Sequence, residues 1–158
     1  MLPKRFFVTS GKALSSISKL NAFDQALLNA GIAQCNLVPV SSIIPKGSVK
    51  IDYCNIETGA ITFVVMAHIE GDSGELLGAG VAWGFIEGSD YGLVAEAHGN
   101  MDEDQLRISL QSRLNEMSRV RNATLRDVGY KIEVLRVPEG LYGSAVAALV
   151  FIPEYIYI

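Results

Sequence analysis

The stretch 35–45, Cys-Asn-Leu-Val-Pro-Val-Ser-Ser-Ile-Ile-Pro, constrains the fold more than any other part of the chain. Leu37, Val38, Val40, Ile43 and Ile44 form an apolar run rich in β-branched residues, which reads as a buried strand. Two adjacent hydroxyls, Ser41 and Ser42, interrupt it, with the polar Asn36 upstream. A buried hydroxyl without a partner is costly. Either the strand ends at the serines in a turn before Pro45, or the pair has a use where it stands. Local chemistry alone favours the turn.

The rest of the chain supplies a core for such a strand. Of 158 residues, 49% are hydrophobic and 19% charged, which fits one globular domain with a substantial interior. The net charge of −4 argues against a general nucleic-acid binder. Charge is uneven: residues 1–41 carry Lys4, Arg5, Lys12 and Lys19 against Asp24 alone, so the remainder is strongly acidic. Cys35 and Cys54 fit no metal-ligand spacing and make no disulfide framework. No apolar run approaches the ~20 residues of a membrane span. With no secretory leader in view, the cytoplasm is the expected compartment.

Periodicity predicts strands at 5–10, 49–55, 60–69, 76–86, 91–98, 129–137 and 141–152, and helices at 20–30 and 100–120. Residues 11–18 read as a loop, and Gly31 closes the first helix. Helices set apart from hairpin-linked strands indicate an α+β fold rather than a doubly wound sheet. Helical spacing groups Leu20, Asp24, Leu27, Leu28 and Gly31 on one arc, placing a carboxylate inside an apolar stripe. The Gly- and Ala-rich run 78–84 leaves room for another backbone or a ligand.

Candidate chemistry is sparse. In the strand 91–98, Val94, Glu96 and His98 share one face, and Leu93, Ala95 and Ala97 the other. No spacing pairs His98 or His68 with a serine or cysteine, so a hydrolytic triad is unsupported. Gly78-Ala79-Gly80 lacks the third glycine and the following helix of a phosphate loop. Asp102, Glu103 and Asp104 load the first turn of a helix, where acidic residues suit the dipole. They are not read as a metal site.

Two blocks resemble a known family. The first is Leu20-Asn21-Ala22-Phe23-Asp24-Gln25-Ala26-Leu27-Leu28-Asn29-Ala30-Gly31-Ile32 with Asn36-Leu37 and Ser41-Ser42-Ile43-Ile44-Pro45. The second is Gly92-Leu93-Val94-Ala95-Glu96-Ala97-His98-Gly99. Together they resemble the signature and acid-bearing strand of pyruvoyl-dependent arginine decarboxylases. The C-terminal Gly143-Ser144-Ala145-Val146-Ala147-Ala148-Leu149 adds a compositional likeness to the family's closing strand. Ala33 and Cys35 depart from the glycine and valine usual at those positions.

The resemblance implies a lyase that converts L-arginine to agmatine and carbon dioxide, a step of arginine catabolism whose product serves polyamine synthesis or acid resistance. It implies a four-layer α-β-β-α sandwich of mainly antiparallel sheets. It also implies a homotrimer, or a dimer of trimers, with sites between subunits and with neither nucleic acid nor membrane as partner. The chain would cleave itself between Ser41 and Ser42 into a β chain, 1–41, and an α chain, 42–158. Ser42 would become a covalently attached pyruvoyl group, with no metal required. That group binds the substrate's α-amine and acts as the electron sink. By the same likeness, Asn36 binds the oxyanion of self-cleavage and Glu96 returns a proton to the α-carbon. Asp24 grips the guanidinium, and Leu20, Cys35 and Ile43 line the pocket. Two alternatives stand beside this: a pyruvoyl decarboxylase for another basic amino acid such as histidine, and an unprocessed homologue that only binds a ligand.

Overall fold

The computed structural model describes residues 1–154. In chain order the elements are β1 (Arg5–Ser15), α1 (Lys19–Asn29), β2 (Asn36–Pro39), β3 (Ile43–Ile44), β4 (Val49–Lys50), β5 (Ile61–Gly71), β6 (Leu76–Ile86), β7 (Gly92–Gly99), α2 (Glu103–Arg119), β8 (Leu125–Arg136) and β9 (Tyr142–Phe151). The fold is α+β, with one sheet in the order β2-β5-β9-β1-β4 and another in the order β3-β7-β6-β8. All pairings are antiparallel except β1 with β4 and β2 with β5. No helix among the described residues is long and apolar enough to cross a membrane.

Phe6, Val65, Val81, Val94, Leu149 and Phe151 belong to a core shared by both sheets. Helix α2 lays Leu106, Leu110 and Leu114 on Leu93, Ala95 and Ala97 of β7. Its N-terminus is closed by a reciprocal capping box between Asp102 and Gln105, which satisfies two otherwise orphaned donors. The acidic residues 102–104 therefore serve the helix start. The small residues of β6 admit this helix: a side chain at Gly78 would run into Leu106, and one at Gly80 into Leu110.

Four expectations are corrected. The stretch 35–45 is not one strand but two, β2 in one sheet and β3 in the other. Residues 11–15 are not a loop: they extend β1 along β9, from Gly11 opposite Val146 to Ser15 opposite Tyr142. Their small side chains reflect close packing, because a side chain at Gly11 would meet the Ala26 carbonyl and the Ala30 amide of α1. Helix α1 consequently turns its alanines inward. Ala22, Ala26 and Ala30 are buried while Leu20 is 74% and Leu28 55% exposed, so Asp24 lies on an exposed flank and not within the buried stripe. Finally, β8 starts at Leu125 because a register shift between Trp83 and Phe85 carries the ladder past Asp127, whose φ of 52° suits a bulge.

The α1–β1 approach gives a stability prediction. Gly11→Val forces a branched side chain against helix backbone, so a loss of about 1–3 kcal/mol is expected. A lower urea midpoint at unchanged slope would register it. An unchanged midpoint would contradict the close approach.

Candidate active site

The chain changes sheets at the two serines. The Val40 amide donates to the Val64 carbonyl at 2.8 Å, the last bond to β5. The Ser42 carbonyl accepts from the Val94 amide at 2.8 Å, the first bond to β7. The Ser41–Ser42 peptide lies between these two anchors and belongs to neither ladder. Ser41 is exposed and Ser42 half-buried. Ile44, fully buried in the inter-sheet core, fixes the chain just beyond.

Past this crossover both sheets present a free edge. Strand β2 ends opposite Val64, leaving the following residues of β5 without a neighbour on that side. Strand β3 covers only the first residues of β7. A slot therefore opens between the two edges, with the serines at its head. Antiparallel pairing puts Ser42 opposite Val94, so Ser42, Val94 and Glu96 project from one face.

Glu96 stands two residues beyond Val94. Burial raises its carboxyl's pKa, and the positive charges of His98, Arg113 and His68 pull it back down. The guanidinium of Arg113 also donates to the Glu96 carbonyl at 2.6 Å, tying α2 to this strand. On the face of β5 that α1 covers, His68 Nδ1 meets Glu70 at 2.9 Å and its ring lies 4.6 Å from that of Phe23. The bond to Glu70 raises the His68 pKa, burial opposes it, and the Glu70 and Glu96 charges add to the rise. Ser144 Oγ donates to Glu70 at 3.2 Å. The order serine–carboxylate–imidazole is wrong for a nucleophilic triad, in which the imidazole must lie between the other two.

Phe23 and Leu27 bring α1 over β5. Leu20 and Asp24 follow them around the helix, on the flank above the free edge. Asp24 has no ion-pair partner among the described residues. Asn36 is placed elsewhere. Its amide donates to the Gly59 carbonyl at 3.0 Å, at the far end of β2. Four residue steps separate it from Val40, roughly 13 Å at the rise of a strand. One chain therefore does not bring Asn36 to its own Ser41–Ser42 bond. Cys35 is buried among Phe7, Ile32 and Val64; burial raises its thiol pKa and a hydrogen bond with Thr62 opposes the rise. Ile43 is 42% exposed, beside the crossover.

Comparison with known proteins matches the chain's sequence to a family. A profile for pyruvoyl-dependent arginine decarboxylase covers residues 5–155. A protein of that description from Methanothermobacter thermautotrophicus is 36% identical over 147 residues, 92% of this chain and 94% of its own. Relatives described in the same words from Thermococcus sibiricus and Pyrococcus horikoshii are each 34% identical, with 96% of both chains covered. The chain belongs to the pyruvoyl-dependent arginine decarboxylase family.

For a member of this family one large apolar hollow is uninformative. About 850 Å³ in volume, it is lined by apolar residues such as Leu2, Ile61, Phe63 and Ile152 and holds none of the candidate groups. A smaller hollow of about 280 Å³, lined by Met1, Pro3, Val40, Pro45, Phe63 and Phe151, includes neither serine. Among the described residues no three His, Cys, Asp or Glu side chains gather as a metal-ligand set. Sequence reasoning missed the His68–Glu70 pair and Arg113. The first had a faint signal, since two ionisable residues two apart in a strand share a face.

Proposed function

We propose that this family member is made as a precursor that cleaves itself between Ser41 and Ser42, and that the product converts L-arginine to agmatine and carbon dioxide. The observation that carries this reading is the Ser41–Ser42 peptide, held at both ends yet outside both ladders, at the head of the slot that Glu96 lines. A peptide free of ladder bonds can distort toward a tetrahedral centre without dismantling a sheet.

The chemistry follows from the residues. Ser42 Oγ attacks the Ser41 carbonyl carbon, and the peptide nitrogen leaves as an amine, so that an ester replaces the amide. Loss of the Ser42 α-proton breaks the ester C–O bond, and Ser41 departs as a carboxylate. The resulting double bond at residue 42 takes up water and releases ammonia, leaving a ketone. The pyruvoyl group so formed supplies an electron sink for the carbanion left by loss of carbon dioxide. No metal is needed for any of these steps. The bond from Val94 to the residue-42 carbonyl holds the new terminus against β7. The 1–41 fragment stays in place because β1 lies between β9 and β4.

Within this reading Glu96 is the acid that reprotonates the α-carbon, a role suited to a carboxyl whose burial favours its proton. Asp24 takes the guanidinium through paired hydrogen bonds, with Leu20 and Ile43 along the side chain and Cys35 beneath. Asn36 supplies the oxyanion donor to a neighbouring chain, since its own serine pair is out of reach. Two unpaired sheet edges and the exposed Leu20, Leu28, Val38, Val40 and Ile61 support a trimer with sites between subunits, because free apolar edges need cover. The contacts of α1 with one sheet and α2 with the other support the family's four-layer α-β-β-α stacking. A cytoplasmic location completes the reading.

Intact mass under denaturing conditions, with agmatine release from arginine, tests it. Fragments ending at Ser41 and beginning with pyruvoyl at position 42, together with a preference for arginine over lysine, ornithine and histidine, are expected. A single uncleaved species after prolonged incubation would sink the proposal.

A further inference from the structure

Strand β7 has a neighbour on one side that runs out early. β3 pairs only Ile43 and Ile44, with Leu93 and Gly92, and the Ser42 carbonyl adds one bond more, from the Val94 amide. Backbone groups two residues apart in a strand point to the same side. The Glu96 amide and carbonyl therefore face the same edge as the Val94 amide, where no strand remains to meet them. Arg113 meets the carbonyl instead, its guanidinium donating at 2.6 Å. A bond from an ionised donor is stronger than one between neutral groups. Leu110 and Leu114 of α2, three residues before Arg113 and one after, are buried against the sheet, so the root of this long side chain is fixed. Arg113 has no ion-pair partner among the described residues, and Glu116, one turn along α2, is held by Arg119 at 2.6 Å. Val94 and Glu96 are about 7 Å apart along the strand, which makes the Arg113 bond the next on this edge after the one that holds residue 42. No step proposed above uses it.

We infer that Arg113 is a positioning residue for the acid: it stands in for the missing strand at the β7 edge, and its bond to the Glu96 carbonyl fixes the main chain from which the Glu96 carboxyl projects. This rests on the reading of Glu96 as the proton donor. Helix α2 covers the face of β7 that carries Leu93, Ala95 and Ala97, and the Glu96 side chain leaves from the opposite face. Arg113 thus holds the strand from one side while the carboxyl works on the other, and it acts through the backbone. A proton donor must stand within hydrogen-bond reach of the atom it serves, and a small misplacement of a reacting group is costly in rate. An edge residue with no neighbouring strand is free to shift by such an amount unless something else holds it. The bond lies at the surface of the single chain, so it adds little to folding stability; its value is in placement.

Kinetics on enzyme cleaved to completion test this. Arg113→Ala is expected to lower kcat roughly 10-fold while KM for arginine and the urea midpoint stay near those of the wild type. Arg113→Lys keeps a cationic donor and is expected to recover most of the loss. The decisive variant is the double one. A residue that acts through the Glu96 carboxyl has nothing left to position once that acid is gone, so Arg113→Ala introduced into Glu96→Gln is expected to cost little further. An undiminished kcat in Arg113→Ala would overturn the inference. So would a raised KM at unchanged kcat, which would make Arg113 a substrate-binding group, or the same 10-fold loss repeated in the Glu96→Gln background, which would make it independent of the acid. Glu96→Gln alone separates the two readings. Full turnover there removes the acid role itself, whereas lost turnover there with an additive loss from Arg113→Ala removes only this inference.

Discussion

Ser42→Ala leaves the chain whole and inactive. The substitution removes one oxygen from a half-buried side chain and touches neither anchor of the crossover, because the Val40 and Ser42 bonds to β5 and β7 use backbone atoms. Folding and both sheets are therefore expected to survive. No other hydroxyl can replace it: Ser41 Oγ lies on the wrong side of its own carbonyl to carry out the same β-elimination, and Ser48, although buried, is well beyond the bond in sequence. Without the nucleophile there is no ester, no elimination and no ketone. Mass spectrometry should find a single full-length species, and agmatine release should fall to background. The expected loss is complete, in contrast to the partial losses usual when a supporting group is removed. Fragments at position 41 in this variant would show that the cleavage site or the nucleophile is misassigned.

The separation of cleavage from turnover bears on what the sequence could disclose. Helix α2 was legible because its cap, acidic first turn and leucine spacing all agree, and β7 was legible in its two faces. The serine pair was legible only as an interruption. That it marks a passage between sheets could not be read, because β2 and β3 are continuous in composition and differ only in the partners they find. Helix α1 was misfaced for a related reason. Its leucines look like the buried side, yet the close approach to Gly11 admits only alanines, and the leucines are left for a surface that one chain does not cover. The His68–Glu70 clamp was illegible because its other half, Phe23, comes from a helix whose docking is tertiary. The residues proposed as nucleophile and acid, Ser42 and Glu96, stood out only as residue types in a family pattern, whereas the passage of the chain between two sheets at the serines required the fold.

Glu96→Gln is expected to separate the two activities. Its side chain makes no hydrogen bond to Ser41 or Ser42 in the described structure, and glutamine keeps the shape that fills the slot wall. Self-cleavage should proceed to the same two fragments. Decarboxylation should not, because an amide cannot deliver a proton to the α-carbon, and loss of a positioned acid costs about 10²–10⁴ in rate. Partial desolvation is the largest influence on this carboxyl and raises its pKa, so the wild-type acid keeps its proton further up the pH scale than a free glutamate, even though its side chain is exposed in the single chain. Turnover should decline as pH rises through that raised value, whereas the residual rate of the glutamine variant should lack that limb. Agmatine release by the cleaved variant, measured across pH, checks both points. Unimpaired turnover with cleavage intact would leave Glu96 a wall residue and place the proton donor elsewhere on the slot, with His98 on the same strand face the next group to test.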